Sequence, residues 1–250
     1  MEQPLLSFAN QSAARRWALW SRPPGYLQSI AEICRRQGVL FIADEVMTGV
    51  GRTGRNFAVD HWDVAPDILV TAKGLSSGYA PLGAVLMRKH VADAIADGSG
   101  AFLHGFTYNS HPISLAAGQA VLRFLLERKL VEAADLDRKG STAATLRSEL
   151  EMLRDLRAVG DVRGIGLLWG VEFVADKATK QPFAPELNFA GKVATAAVHR
   201  GLLVYPMQGS ADGTAGDHIL IAPPAVITPD QIQWSVQQLE EAIAEAAARS

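Results

Sequence analysis

The sequence predicts an α/β protein whose C-terminal part turns to α+β. Two observations carry that reading. Three apolar runs of strand length, Val39-Leu40-Phe41-Ile42-Ala43, Ile68-Leu69-Val70 and the run from Gly83 to Met87, show no apolar–polar alternation. Such runs suggest strands buried on both faces, hence a mostly parallel sheet beneath helices. Stretches with apolar residues at helical spacing follow them, and strands and helices go on alternating to the end of the chain. The 250 residues suit one large domain or two smaller ones, at about 150 residues per domain.

Each element has its own local reason. Residues 1–22 show neither period-2 alternation nor a clean helical stripe, and Pro23-Pro24-Gly25 punctuates them. Leu27, Ile30, Ala31 and Cys34 fall on one helical face, with Gly38 placed as a C-terminal cap. The run ending in Ala43 leads into Asp44-Glu45, the next into Thr71-Ala72-Lys73, and the third follows Pro81. Residues 113–126 read as a helix, as do residues 141–156, where Leu146, Leu150 and Leu153 share a face. Residues 162–173 look like two strands broken by glycines. Residues 190–200 form a helix leading into a strand at Leu202-Leu203-Val204. The glycine- and aspartate-rich residues 209–217 read as a surface loop, residues 218–222 as a strand and residues 229–247 as a long closing helix. The chain therefore divides into an atypical segment 1–22, a strand-and-helix portion 23–129 and a C-terminal portion 130–250.

Composition narrows the class of function. The 24 Lys+Arg against 26 Asp+Glu leave a formal net charge of −2. That balance argues against a nucleic-acid or anionic-membrane surface as main partner. A single cysteine, Cys34, excludes an internal disulfide and any cysteine-built zinc site, and the six histidines show no metal-ligand spacing. No apolar run approaches the length of a membrane span. The first apolar run precedes Arg15 and Arg16, the wrong order for a signal peptide. The expectation is a cytoplasmic protein without a metal.

Two side chains stand at the carboxyl ends of strand-like runs, Asp44 and Lys73, and in open α/β sheets that edge is where ligands bind. Lys73 sits between Ala72 and Gly74-Leu75-Ser76-Ser77-Gly78, a place poorly suited to a solvated charge. Lysines so held act as amine nucleophiles toward carbonyls. A lysine for a Schiff base and an acid for a pyridine nitrogen are what pyridoxal 5'-phosphate (PLP) needs as an electron sink. Each residue also has a plain reading: a strand-end Asp serves as an N-cap or turn acceptor for Thr48 or Gly49, and a strand-end Lys as a solvated gatekeeper.

The wording around the two residues is more specific. The stretch from Phe41-Ile42-Ala43-Asp44-Glu45-Val46 to Gly51-Arg52-Thr53-Gly54, then Pro66-Asp67-Ile68 and Ala72-Lys73-Gly74 through Pro81-Leu82-Gly83-Ala84, resembles the core signature of class III PLP-dependent aminotransferases. The likeness continues through Gly105-Phe106-Thr107-Tyr108-Asn109-Ser110-His111-Pro112 and residues 162–173 to Ala222-Pro223-Pro224. It covers the chain from about Pro24 onward. The resemblance implies part of a fold type I PLP-dependent transferase large domain in residues 23–129, with a mainly parallel sheet, and an α+β small domain in residues 130–250.

By that resemblance Asp44 pairs with the pyridine nitrogen, Val46 packs on one face of the ring, and Lys73 forms the internal aldimine and then shuttles a proton. Thr107 donates its hydroxyl to the cofactor phosphate across a homodimer interface. Arg52 belongs either to a structural turn or to a substrate carboxylate site. The implied reaction moves an amino group from an amine or amino-acid donor to a 2-oxo acid.

The chain also departs from the family. A phosphate-cradling helix start rich in glycine and serine, and an aromatic residue stacking on the second ring face, have no counterpart; Phe8, Trp17 and Trp20 do not align with the latter. The expectation is a truncated chain, with apolar faces uncovered. The arginine that binds a carboxylate in many relatives is missing from residues 216–224; His218 is a weak substitute there, and a histidine beside an apolar strand is more often structural. The competing readings are another PLP chemistry, racemase or epimerase, and a non-catalytic remnant or subunit fragment.

Overall fold

The computed structural model of the chain describes residues 5–8 and 24–249. They divide into two units, one running to Val131 and one beginning at Glu132. Of the expectations for residues 1–22, only the backbone of Leu5–Phe8 can be compared. It forms strand β1, which the sequence pattern did not announce. The remainder, with the aromatic side chains of Phe8, Trp17 and Trp20, lies outside the described residues.

The first unit is built on one sheet. Helix α1 (Tyr26–Gln37) starts at Gly25 and ends at Gly38, both left-handed, with φ +79° and +65°. The Val39 N–H then closes the helix on the Cys34 carbonyl at 2.9 Å, which is how a glycine-capped helix satisfies its last carbonyls. Its apolar face buries Leu27 and Cys34 against Phe41 and Val64. Strands β2 (Leu40–Asp44) and β3 (Ile68–Thr71) run parallel to each other and to β1, while β4 (Ala84–Met87) returns antiparallel to β3. The sheet order is β1-β2-β3-β4, so it is mainly parallel, with one antiparallel edge. Asp67 ties the crossover down: its carboxylate accepts the Phe41 N–H at 2.8 Å, and its own N–H donates to the Phe41 carbonyl at 2.9 Å.

One expectation is corrected here. The strands are not buried on both faces. In β2 and β3 burial alternates, Phe41, Ala43, Leu69 and Thr71 being buried and Ile42, Asp44, Ile68 and Val70 only half-buried. Residues 57–59 cover the first face; the other face stays partly open. Helix α2 (Lys89–Gly98), for which the sequence reading had no expectation, buries no residue. Helix α3 (Pro112–Glu127) follows, with Pro at its first turn and Ser114, Gly118 and Val121 buried.

The second unit packs three helices on one antiparallel sheet. They are α4 (Thr142–Met152), α5 (Phe189–His199) and α6 (Pro229–Ala248). The strands are β5 (Val159–Ile165), β6 (Leu168–Phe173), β7 (Tyr205–Met207) and β8 (Asp217–Ile221), in the order β5-β6-β8-β7. Leu146, Leu150 and Leu153 all enter the core, beside Phe173, Phe189, Ile219, Ile232, Leu239 and Ile243. Ser141 and Thr228 cap α4 and α6, their hydroxyls accepting the N–H of Ala144 and of Gln231.

The strand expected at 202–204 lies instead at 205–207. Leu202 is occupied closing α5: its N–H donates to the Ala197 carbonyl at 2.9 Å, behind Gly201 at φ +82°. The strand that follows is an edge strand, which tolerates Pro206. The expected loop at 209–217 ends one residue early, because Asp217 is fully buried at the start of β8. Among the described residues, no helix is long and apolar enough to cross a membrane.

Candidate active site

Parallel pairing puts the two candidate residues at one edge of the first sheet. Asp44 ends β2 and lies in register with Val70 of β3; Lys73 comes three residues further along β3's path. Both residues therefore stand at the carboxyl ends of adjacent parallel strands, on one edge of the sheet. Asp44 is the last residue of β2, and Lys73 follows two residues after the end of β3. Lys73 is exposed rather than shielded from water.

The cause is the turn that Lys73 opens. Its backbone is left-handed at φ +39°, a conformation that costs a lysine energy and persists only when neighbours impose it. Those neighbours are visible. The Leu75 N–H donates to the Ala72 carbonyl at 2.9 Å and the Ser76 N–H to the Lys73 carbonyl at 3.3 Å. The buried Ser76 hydroxyl donates to the Ala80 carbonyl at 2.6 Å.

Asp44 is half-buried, and one of its carboxylate oxygens accepts the Val46 N–H at 3.0 Å. Val46, half-buried, thus stands beside the acid at the same edge. Thr48 does not use Asp44. Its hydroxyl donates to Glu45, whose side chain is buried at 2% exposure. The other Glu45 oxygen accepts the Val59 N–H at 2.9 Å. Burial pushes the Glu45 carboxyl above the ordinary carboxylate range, opposed by the bonds from Thr48, Ala58 and Val59.

Glu45 and Ser76 are residues whose part in the site the sequence reading missed. The only signal for Glu45 was its adjacency to Asp44, and for Ser76 its place in the glycine-rich turn. Thr107 is not brought to the Asp44–Lys73 edge by any element described; it lies exposed in the turn before α3.

Two further candidates resolve differently. Arg52 is half-buried in a turn with Gly51 at φ +83° and Gly54 at φ +86°, and burial lowers the pKa of its guanidinium. His218 is fully buried within the second unit, in line with the structural reading of it rather than with that of a substitute carboxylate binder. Loss of solvent, and then the nearby Arg163 charge, hold its pKa down at about 4. Arg163 itself is engaged by Asp161 and, at 2.5 Å, by Glu172.

The donor set fits the ring end of PLP in its chemistry: a carboxylate for the pyridine nitrogen, an amine for the aldehyde carbon, and an aliphatic side chain next to the acid. None of these three residues supplies the phosphate end. β2 runs into turns and β3 into a one-turn helix at Lys73–Leu75, so neither strand offers the helix N-terminus that cradles a phosphate.

Fold and site together have the form of a PLP-dependent transferase of fold type I, and the comparisons with known proteins agree. The profile of aminotransferase class-III proteins matches residues 19–243. An uncharacterized aminotransferase of Bacillus subtilis, YodT, is 43% identical over 223 residues, 89% of this chain and 49% of its own length. A transaminase structure from the marine bacterium Virgibacillus superposes with a TM-score of 0.84 at 36% identity, over 91% of this chain and 50% of that one. A PLP-bound amine transaminase from an uncultivated Pseudomonas species gives 0.79 at 37% identity, over 90% and 48%. The chain belongs to the class-III aminotransferase family. It spans about half the length of the relatives it matches.

Proposed function

We propose that this chain is a PLP-dependent transaminase polypeptide, moving an amino group from an amine or amino-acid donor to a 2-oxo acid. The observation that carries the reading is the placement of Asp44 and Lys73 at one edge of adjacent parallel strands. Bound PLP supplies an electron sink through its protonated pyridine ring. Asp44 keeps the proton on the pyridine nitrogen by its negative charge, a preorganised counter-charge whose direction the Val46 N–H holds. Val46 covers one ring face. With PLP bound, the Lys73 amine would hold the cofactor and would serve as the base and acid that moves a proton at the substrate Cα.

Thr107 acts in the site of a second copy, its hydroxyl donating to the cofactor phosphate. In support of a homodimer, Thr107 is exposed amid exposed apolar residues, Leu103 (90%), Phe106 and Tyr108, and α3 adds Ile113 and Leu126. The proposed location is the cytoplasm, in keeping with a single buried free thiol, Cys34.

PLP titration of the chain, followed by borohydride reduction and peptide mapping, tests the reading. A reduced adduct on Lys73 supports it. No specific adduct favours the second reading, a non-catalytic polypeptide of the same family.

A further inference from the structure

Asp44 and Glu45 are consecutive carboxylates with opposite surroundings. The alternation of β2 sends Asp44 to the half-open face and Glu45 to the packed one, over Ala43 and Leu69. A buried carboxylate without partners is costly, yet this one is fully engaged. Thr48, itself buried, donates its hydroxyl to one oxygen, and the Val59 N–H donates to the other at 2.9 Å. The Glu45 backbone is held as well: its N–H donates to the Val70 carbonyl at 2.7 Å, and its carbonyl accepts the Gly49 N–H at 2.9 Å. That turn is tight, for a Cβ on Gly49 would lie 2.6 Å from the Glu45 carbonyl oxygen. One side chain thus joins the end of β2 to both the 46–49 turn and the start of the 58–62 helical turn.

We propose that Glu45 is a positioning residue: by pinning residues 46–59 to the end of β2, its carboxylate fixes the Val46 N–H that orients Asp44. The inference rests on the reading of Asp44 as the acid of the site. Its effect is read directly on the chain, with no cofactor present, so the two can fail separately. Without the clamp, the Asp44–Val46 bond at 3.0 Å is left to a free turn, and Asp44 samples directions that miss the ring nitrogen.

Amide hydrogen exchange on the intact chain tests this, with Thr48→Val, Glu45→Gln and Glu45→Ala. Thr48→Val keeps the side-chain volume and removes one donor. Glu45→Gln keeps an acceptor for Val59, with Thr48 able to reverse its role, and serves as the conservative rescue. Exchange at Val46 is expected to rise about threefold to tenfold in Thr48→Val and more in Glu45→Ala, with Glu45→Gln close to the parent. The β3 amides of residues 68–71 should be unchanged. If Val46 exchanges as in the parent in Thr48→Val, or if the β3 amides rise with it, the proposal is overturned; should Glu45→Ala not fold, Thr48→Val and Glu45→Gln decide. A chain that shows the Val46 effect but forms no Lys73 adduct with PLP would retain the clamp and lose the cofactor reading instead.

Discussion

Gly164 and Trp169 face each other across the β5–β6 hairpin, and a Cβ on Gly164 would lie 2.5 Å from Cδ2 of the indole. The Leu168 carbonyl oxygen is on the same side, so the obstruction is partly backbone. The ring has no room to retreat, since it is 3% exposed and its Nε1–H donates to the Gly166 carbonyl at 2.9 Å. Gly164→Ala is therefore expected to destabilise the second unit by about 2–3 kcal/mol. Urea unfolding followed by Trp fluorescence would show it; a loss under about 0.5 kcal/mol would mean the hairpin opens freely.

His218 makes stability depend on pH. Its ring is neutral when folded, with pKa about 4, against 6.5 for the ordinary side chain. The unfolded chain then binds the proton first, so the contribution of His218 is complete above pH 6.5 and declines as pH falls toward 4. The full effect is about 3 kcal/mol. Other groups also change affinity for protons on folding, Asp217 among them with its carboxyl raised by burial, so the readable quantity is a difference. Between pH 7 and pH 4.5, the parent should lose at least about 2 kcal/mol more than His218→Leu in paired urea titrations. Parallel pH profiles would contradict the assignment.

How much of this was legible beforehand follows from where the physical signal sits. Asp44 and Lys73 could be placed because each ends an apolar run, and run ends survive errors in strand boundaries. Leu146, Leu150 and Leu153 could be assigned to one face because helical period is a local property. The open face of β2 and β3 could not be read: an apolar run looks the same whether one face or both are covered, and Ile42, Ile68 and Val70 are half-buried. The β7 strand was misplaced by three residues because the Leu202–Ala197 bond belongs to the close of a helix, a preference that apolar Leu202-Leu203-Val204 conceals. Glu45 was invisible as an anchor because its partners, Thr48 and Val59, are joined to it by folding and not by spacing.

Lys73 offers chemistry without packing, and that separates its two roles experimentally. Because the side chain is exposed, Lys73→Ala should leave the unfolding midpoint unchanged within about 0.5 kcal/mol. The same variant should abolish the borohydride-trapped adduct. A persisting adduct would move the attachment to another lysine. Asp44→Asn should keep the adduct and lower transamination at least about a hundredfold, the scale of losing a preorganised charge at the reacting group. Undiminished turnover in that variant would remove Asp44 from the pyridine nitrogen.

The homodimer proposal makes the cofactor's retention depend on a surface far along the chain from Lys73. Ile113 and Leu126 of α3 are exposed at 70% and 68%, and Leu103 and Phe106 are exposed in the segment that carries Thr107. Apolar side chains clustered in this way, outside a core, mark contact surfaces. Placing Glu at both Ile113 and Leu126 introduces two charges that association would have to desolvate, and should weaken self-association at least about a hundredfold. Sedimentation velocity over a concentration series reads that change. If Thr107 completes the site of a second copy, the double variant must also hold PLP less tightly, although neither substituted residue lies near Asp44 or Lys73 in sequence. Thr107→Val should weaken PLP retention without altering the sedimentation profile. A monomeric double variant that binds PLP as the parent does would confine the site to one chain and leave Thr107 without a part in it.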